Sequence, residues 1–546
     1  MSFGKEESDR KVIPIWDPSK LASSLAENSA IKPLKHPTTT VSHSGRLMEE
    51  LTQSPRVGTA VELLNAAKLE DNREGTIAAS RLIIEDGSLP KSVLSMARKV
   101  LNQEQDVPQI ADARTRIAGI RNSLRINPSN TLAWVDLARE YISLGQGQPA
   151  ERAMSVALGL SPGHRWVSRV ASRLYIHLEE FDRSHSVLAR HPGLKHDPWI
   201  ASAELSVSQL IGRTSRNLSA ARRIQELGLH PRHTTELASS LGTLEIESGA
   251  MKRARKYFRD SLLDPNRNTL AQALWVEQTH DIKSASHLQV QSLEIAYEAK
   301  ARESYILGEA ESAINHSLDW LEAEPFSSKP PVLASYIASL DDRYEQIIRI
   351  TDRGLIANPS NSILKLNRAY AQLALINPLC PTQSDVDKVA GWMSLFDEEL
   401  KEGGPNRAQA LANYGMLCYR MGALEKGRIY YEAAEKVCQA ESFRSPVLCT
   451  IYHAREAVLA KAEWALTVLE RARAVTLKVS DTGKLEGSVS LSKVNKLYEN
   501  PENYHVIFNR PTAADVTASE SPGHLAFADS ILEGLSFHLP DDFNRG

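Results

Sequence analysis

Apolar residues recur along most of this chain every three or four positions. Leu51, Val57, Val61, Leu64 and Ala67 have the spacing of a buried helix face. The same rhythm runs almost unbroken from about residue 51 to 475. Residues 1–50 lack it. Their core, IKPLKHPTTTVSHSG, is rich in Pro, Ser and Thr and reads as an extended or disordered arm. That arm still holds Ile13, Ile15, Trp16 and Leu21, so part of it is expected to dock on the body. Beyond Lys478 the pattern changes to strand-like alternation in LEGSVSLSK and YHVIFNR, around the turn signal ENPEN. The apolar stretch HLAFADSILEGLSFHL has the character of one last helix. Three regions are therefore expected: an arm at 1–50, a helical body at 51–475 and a mixed C-terminal segment at 476–546.

Within the body one spacing returns. Trp134, Leu137, Ala138, Tyr141, Ala150, Met154, Ala157 and Pro162 form one set; Tyr175, Ser184 and Leu188 stand 34 residues beyond their counterparts. Ser219 and Ala254 continue the series at intervals of 35, with Leu241, Gly242 and Phe258 in their expected places. Tyr297, Ala301, Ala313, Pro325 and Pro359 resume it, and Leu411, Gly415, Gly422, Gly427, Tyr431 and Ala434 complete it. The phrase NPSN stands at both Asn127–Asn130 and Asn358–Asn361, where it reads as helix end, turn and helix start. Pro128, Pro162, Pro231, Pro265, Pro325 and Pro359 are placed to stop second helices. Ala150, Ser184, Ser219, Ala254 and Ala313 are expected where two helices come close.

These offsets resemble the tetratricopeptide repeat (TPR) family from about 110 to 440. The resemblance implies an all-α superhelical solenoid in which neighbouring helix pairs stack because no pair can bury its apolar faces alone. It further implies a concave groove lined by the first helix of each pair. The family's offsets place Arg139, Trp166, Arg169, Arg173 and His177 on the groove wall of the first units. Arg302, Tyr305, Tyr336, Tyr370, Tyr419 and Arg420 take the equivalent places later. Members that clamp a C-terminal carboxylate use Lys and Asn; here Val170 stands where the Asn would be. The basic wall is expected to receive an acidic or extended segment of another protein. Replacing Arg169 and Arg173 by Glu is then expected to abolish capture and leave folding intact.

Charge modifies this picture only locally. The 546 residues include 64 basic and 67 acidic side chains, a net charge of −3. That balance opposes a wholesale nucleic-acid coat. Residues 213–260 nevertheless carry an excess of +5, and 294–345 an excess of −7. The basic stretch is a candidate nucleic-acid contact, which makes a ribonucleoprotein component the alternative function. A sensor subunit of a larger assembly is a third.

Candidate chemistry is sparse. GQGQ at Gly145–Gln148 falls between predicted helices and reads as a turn rather than a phosphate loop. His177, His185, His191 and His196 are 8, 6 and 5 apart, without the i, i+4 spacing of helical metal ligands. The cysteines, Cys380, Cys418, Cys438 and Cys449, form no CxxC pair. No catalytic motif, cofactor site or metal site emerges. With a charged N-terminus and no long apolar span, the expected product is a cytoplasmic, non-catalytic interaction scaffold or adaptor within a multi-protein assembly.

Overall fold

A computed structural model describes residues 10–16, 43–69, 72–86, 93–94, 97, 108–280, 282, 285–376, 382–401, 406–440 and 446–480. The β-like alternation and final helix expected after Lys478 lie outside the described residues, as does most of the arm. Among the described residues all regular structure is α-helical. The chain divides into two compact units, residues 17–140 and residues 1–16 with 141–546.

In the first unit, α1 (His43–Gln53), α2 (Val57–Leu69) and α3 (Arg73–Asp86) pack around Leu47, Leu51, Leu63, Leu64, Ala67 and Ile83. The apolar spacing from Leu51 to Ala67 therefore spans two helices, broken at residues 54–56, and Val57 and Val61 are only half-buried. Then come α4 (Pro108–Ile126) and α5 (Thr131–Ser143), whose last residues, from Tyr141, belong to the second unit. Between them the first NPSN acts as read: Asn130 Oδ1 accepts the Ala133 N–H at 3.2 Å.

The second unit is a series of antiparallel helix pairs. In order they are α6 (Gly147–Leu160), α7 (Arg165–His177), α8 (Phe181–Ala189), α9 (Pro198–Leu210), α10 (Leu218–Glu226), α11 (Pro231–Glu247), α12 (Met251–Ser261) and α13 (Arg267–His280). A short α14 (His287–Ser292) precedes α15 (Tyr297–Leu307), α16 (Ala310–Ala323), α17 (Lys329–Leu340), α18 (Tyr344–Ala357) and α19 (Ser362–Ala374). The last five are α20 (Gln383–Lys401), α21 (Arg407–Arg420), α22 (Leu424–Ala440), α23 (Pro446–Leu459) and α24 (Ala465–Ser480). Helix starts follow capping chemistry. Asp197 accepts from the Trp199 and Ile200 N–H groups ahead of Pro198, and Asn361 of the second NPSN accepts from Leu364 at 2.9 Å.

The repeat offsets have a steric cause. A Cβ on Gly242 would meet the Phe258 ring at 2.9 Å, and one on Gly415 the Tyr431 ring at 2.5 Å. Small residues on first helices thus accept the aromatic of the second, 16 positions on. Ala150, Ser184, Ala254 and Ala313 are fully buried as expected. Ser219 is not: in α10 the register slips, and Ala220 and Ala221 occupy the buried side while Ser219 faces solvent. Pro231 also departs from expectation. It opens α11 behind the His230 cap instead of merely ending α10. The irregular stretch after Leu375 contains α20, an added helix whose Phe396 packs edge-on against Tyr414 at 5.1 Å. These helix pairs, with their small-residue–aromatic contacts, make this unit a TPR-like α-solenoid.

The second unit also meets itself. Gly145 sits in the turn before α6 with φ of 68°, and a Cβ there would lie 2.8 Å from the Ile356 carbonyl oxygen at the end of α18. Only glycine combines that left-handed backbone with so close an approach.

Candidate peptide-binding lumen

Inside the second unit lies a cavity of about 890 Å³, walled by Arg173 and His177, the start of α17, and the α18–α19 joint. Residues 10–16, RKVIPIW, run along one side of it as non-helical chain. Val12 and Trp16 are each 1% exposed. Part of the arm therefore does dock on the body, and its seat is the interior of the solenoid.

The α13 and α15 side chains hold this segment by its backbone as well as by its side chains. Gln272 Nε2 donates to the Arg10 carbonyl oxygen at 2.8 Å, and Asn268 Nδ2 donates to that of Ile13 at 2.8 Å. The Arg10 guanidinium forks onto Glu298 at 2.8 and 2.9 Å and also donates to Gln272 and Asn268. Such bidentate pairs are the strongest of the charge-assisted bonds. Lys11 pairs with Glu247 at the end of α11. Burial would push the Glu298 carboxyl up, but Arg10 and Arg302 beside it outweigh burial and hold it well below the usual carboxylate range. At the far end Trp16 packs on Phe326 with ring centroids 5.4 Å apart. His177 meets Phe326 edge-on at 5.5 Å, and the Arg173 guanidinium lies 5.1 Å over the same ring. Desolvation, aided by Arg173, lowers His177 to about 4, so it is neutral at pH 7.

Lys329, the first residue of α17, projects into the cavity. Burial drives its ammonium down; Glu298 partly offsets this, and Arg10, Arg302 and Arg173 add to it.

The residues expected on the groove wall divide into three groups. Arg173 and His177 line the lumen, with Arg173 4.0 Å from Glu324, and Arg302 shares the lining residue Glu298 with Arg10 at 3.1 Å. Arg169 is already engaged, donating to the Trp199 carbonyl at 2.7 Å and pairing with the buried Glu236 at 2.8 Å. Trp166 is half-buried, and its indole N–H has no hydrogen-bond partner among the described residues. Arg139 belongs to the other compact unit.

The third group is packed into the array, with Tyr305 half-buried and Tyr336, Tyr370, Tyr419 and Arg420 buried. Tyr336 packs on Tyr305 at 6.3 Å, and Tyr370 accepts from Arg455 at 3.0 Å. Tyr419 accepts from Trp464 at 2.9 Å and bonds His453 at 3.2 Å. Arg420, fully buried, binds Glu456 at 2.5 and 2.8 Å and the Ile376 carbonyl at 2.7 Å. Helix α23 supplies Tyr452, His453, Arg455 and Glu456 and covers this stretch of the wall. Sequence reasoning missed the residues that grip the segment: Asn268, Gln272, Glu298 and Phe326. One signal was available, since the basic pair Arg10–Lys11 matches the acidic excess at 294–345, which contains Glu298.

Elsewhere the predicted features are dispersed. His185 pairs with Glu204, and His191 accepts from its neighbour Gly193. On α12, Lys252, Arg255, Lys256 and Arg259 are exposed. No helix among the described residues is long and apolar enough to cross a membrane.

No family model and no curated protein matches the chain. Among solved structures the chain is similar to yeast Tom70, at 11% identity and a TM-score of 0.24, covering 90% of this chain and 96% of that one. It is similar to the APC/C hetero-tetramer Cut9-Hcn1, at 13% identity and a TM-score of 0.28, covering 94% and 95%. It is also similar to Naa15/Naa10 bound to HypK-THB, at 13% identity and a TM-score of 0.24, covering 90% and 91%. Identity and superposition at this level leave function to be read from the chain's own geometry.

Proposed function

We propose that this protein is a non-catalytic scaffold that holds an extended segment of a partner protein in the lumen of its solenoid, as a subunit of a multi-protein assembly. The observation that carries this reading is the pair of side-chain amides, Asn268 and Gln272, bonded to main-chain carbonyls of a non-helical strand. Side chains that read a peptide backbone suit recognition of an extended peptide, with pockets for alternate residues giving selectivity. Because Glu247 and Glu298 meet the strand's cations, the partner segment is assigned a basic rather than an acidic character.

The hydrogen-bonded series Tyr419–His453–Glu435 resembles a proton relay, yet it argues for packing. Both Tyr419 and His453 are buried, and desolvation pushes the Tyr419 phenol far up.

The test is affinity purification with mass spectrometry, comparing the wild type with Asn268→Leu/Gln272→Leu. Partners recovered by the wild type should be lost from the variant, with helicity retained; an unchanged set of partners refutes the lumen as the site. The Arg169→Glu/Arg173→Glu variant suits this purpose poorly, because it sets a carboxylate against the buried Glu236 and destabilises the fold.

The exposed cations of α12 favour a second reading, a nucleic-acid contact at that face. Affinity for a mixed-sequence RNA should then fall steeply and linearly on a log–log plot against salt. A flat response removes this reading.

A further inference from the structure

The strand in the lumen belongs to the chain itself. We propose that residues 10–16 are a built-in competitor: they occupy the site that a partner's extended segment takes, and the partner carries the same order of side chains. That order is an arginine, an adjacent lysine and an aromatic six residues after the arginine. This inference rests on the scaffold reading and names its partner and its regulation.

Four observations select this chemistry. Two carboxylates, Glu298 and Glu247, face the paired cations. The Asn268 and Gln272 amides bind carbonyls, which any residue provides, so they demand extended backbone and not particular side chains. The Trp16 site is formed by Phe326, which lies under His177 and Arg173 and is fully buried with Trp16 in place. His177 is held neutral there, so the Trp site sees one cation rather than two.

Removing Arg10 would take its bidentate partner from Glu298 and leave the Arg302 contact at 3.1 Å, and buried carboxylates favour a full set of donors. The site therefore prefers to be filled. A tethered ligand typically faces its site at an effective concentration on the order of a millimolar. A free segment of equal intrinsic affinity cannot displace it at micromolar levels. A partner must bind more tightly, or the cis segment must first be weakened. Occupancy by residues 10–16 thus sets a threshold that excludes weak ligands.

The experiment uses the full chain and a fluorescein-labelled peptide, RKVIPIW, read by fluorescence anisotropy. In Arg10→Ala/Trp16→Ala the cis strand loses both anchors while every lumen residue is kept. This variant should bind the peptide at least tenfold more tightly than the wild type. A peptide with Glu in place of the arginine should not bind it. Far-UV circular dichroism and the melting curve confirm that the variant is folded; Arg10→Ala alone, which keeps Trp16 packed, should give an intermediate affinity. Equal peptide affinity for variant and wild type overturns the competition and leaves the scaffold reading standing. No peptide binding by any folded form overturns both. Equal binding of the Glu-substituted peptide overturns the assigned chemistry.

Discussion

Arg10→Ala tests how strongly the strand is latched. The guanidinium is 5% exposed and makes four hydrogen bonds of 2.6 to 3.0 Å, to Glu298, Gln272 and Asn268. Truncating one partner of a desolvated, hydrogen-bonded charge pair typically costs about 2–5 kcal/mol. Glu298 keeps its 3.1 Å contact with Arg302, so its charge is not stranded and the lower part of that range applies, about 2–3 kcal/mol. At about 1.4 kcal/mol per factor of ten, the open population should rise roughly 30- to 150-fold. Limited trypsinolysis reads this directly. The bond after Lys11 is buried with the strand, so its cleavage requires opening, and under rapid reclosing the rate follows the open population. Mass spectrometry of the released N-terminal peptide should show that cleavage accelerating by this factor, while cleavage within the helical array keeps its wild-type rate. An unchanged rate at Lys11 would refute the latch.

Glu456→Gln removes the carboxylate that both Arg420 and Arg455 bind, leaving two buried guanidinium groups undercompensated; stability should fall by about 3–5 kcal/mol in urea unfolding. Gly145→Ala combines a positive φ with a 2.8 Å approach to the Ile356 oxygen, so it should lose about 1–3 kcal/mol, whereas Gly159→Ala, in open space on α6, should be neutral or slightly stabilising. His177 is lowered from its ordinary value to about 4 in the folded state, so the unfolded chain binds the extra proton; stability should be full above about pH 6.5, decline toward pH 4 and level off below, and His177→Asn should flatten that part of the melting-temperature profile.

The helical architecture was legible because its cause is local and repeated. Glycine facing an aromatic 16 residues later recurs as Gly242–Phe258 and Gly415–Tyr431, and such pairs leave their spacing in the text. Ser219 misled because the buried side of α10 falls one or two positions later, at Ala220 and Ala221, and offset counting does not detect a slipped register. The groove residues were only partly legible for a different reason. Periodicity says which face of a helix a residue occupies, and it does not say what covers that face. Tyr370, Tyr419 and Arg420 lie under α23, whose Arg455 and Glu456 meet them across 36 to 85 residues of sequence. The lumen contacts span still more: Arg10 and Glu298 are 288 positions apart. In the sequence, the misplaced apolar residues of the arm, Ile13, Ile15 and Trp16, and the basic pair Arg10–Lys11 marked that strand as something other than solvent-exposed chain.

The seat of residue 16 in the lumen is open to a direct measurement. Replacing Trp16 by the photo-cross-linker benzoylphenylalanine keeps an aromatic side chain in the Phe326 site. On irradiation of the full-length protein, tandem mass spectrometry should find intrachain cross-links from position 16 to the peptides containing Phe326 and His177, suppressed by an excess of RKVIPIW peptide in the Arg10→Ala background. Cross-links that fall on other regions of the chain, or only between chains, would contradict a lumen that holds this strand.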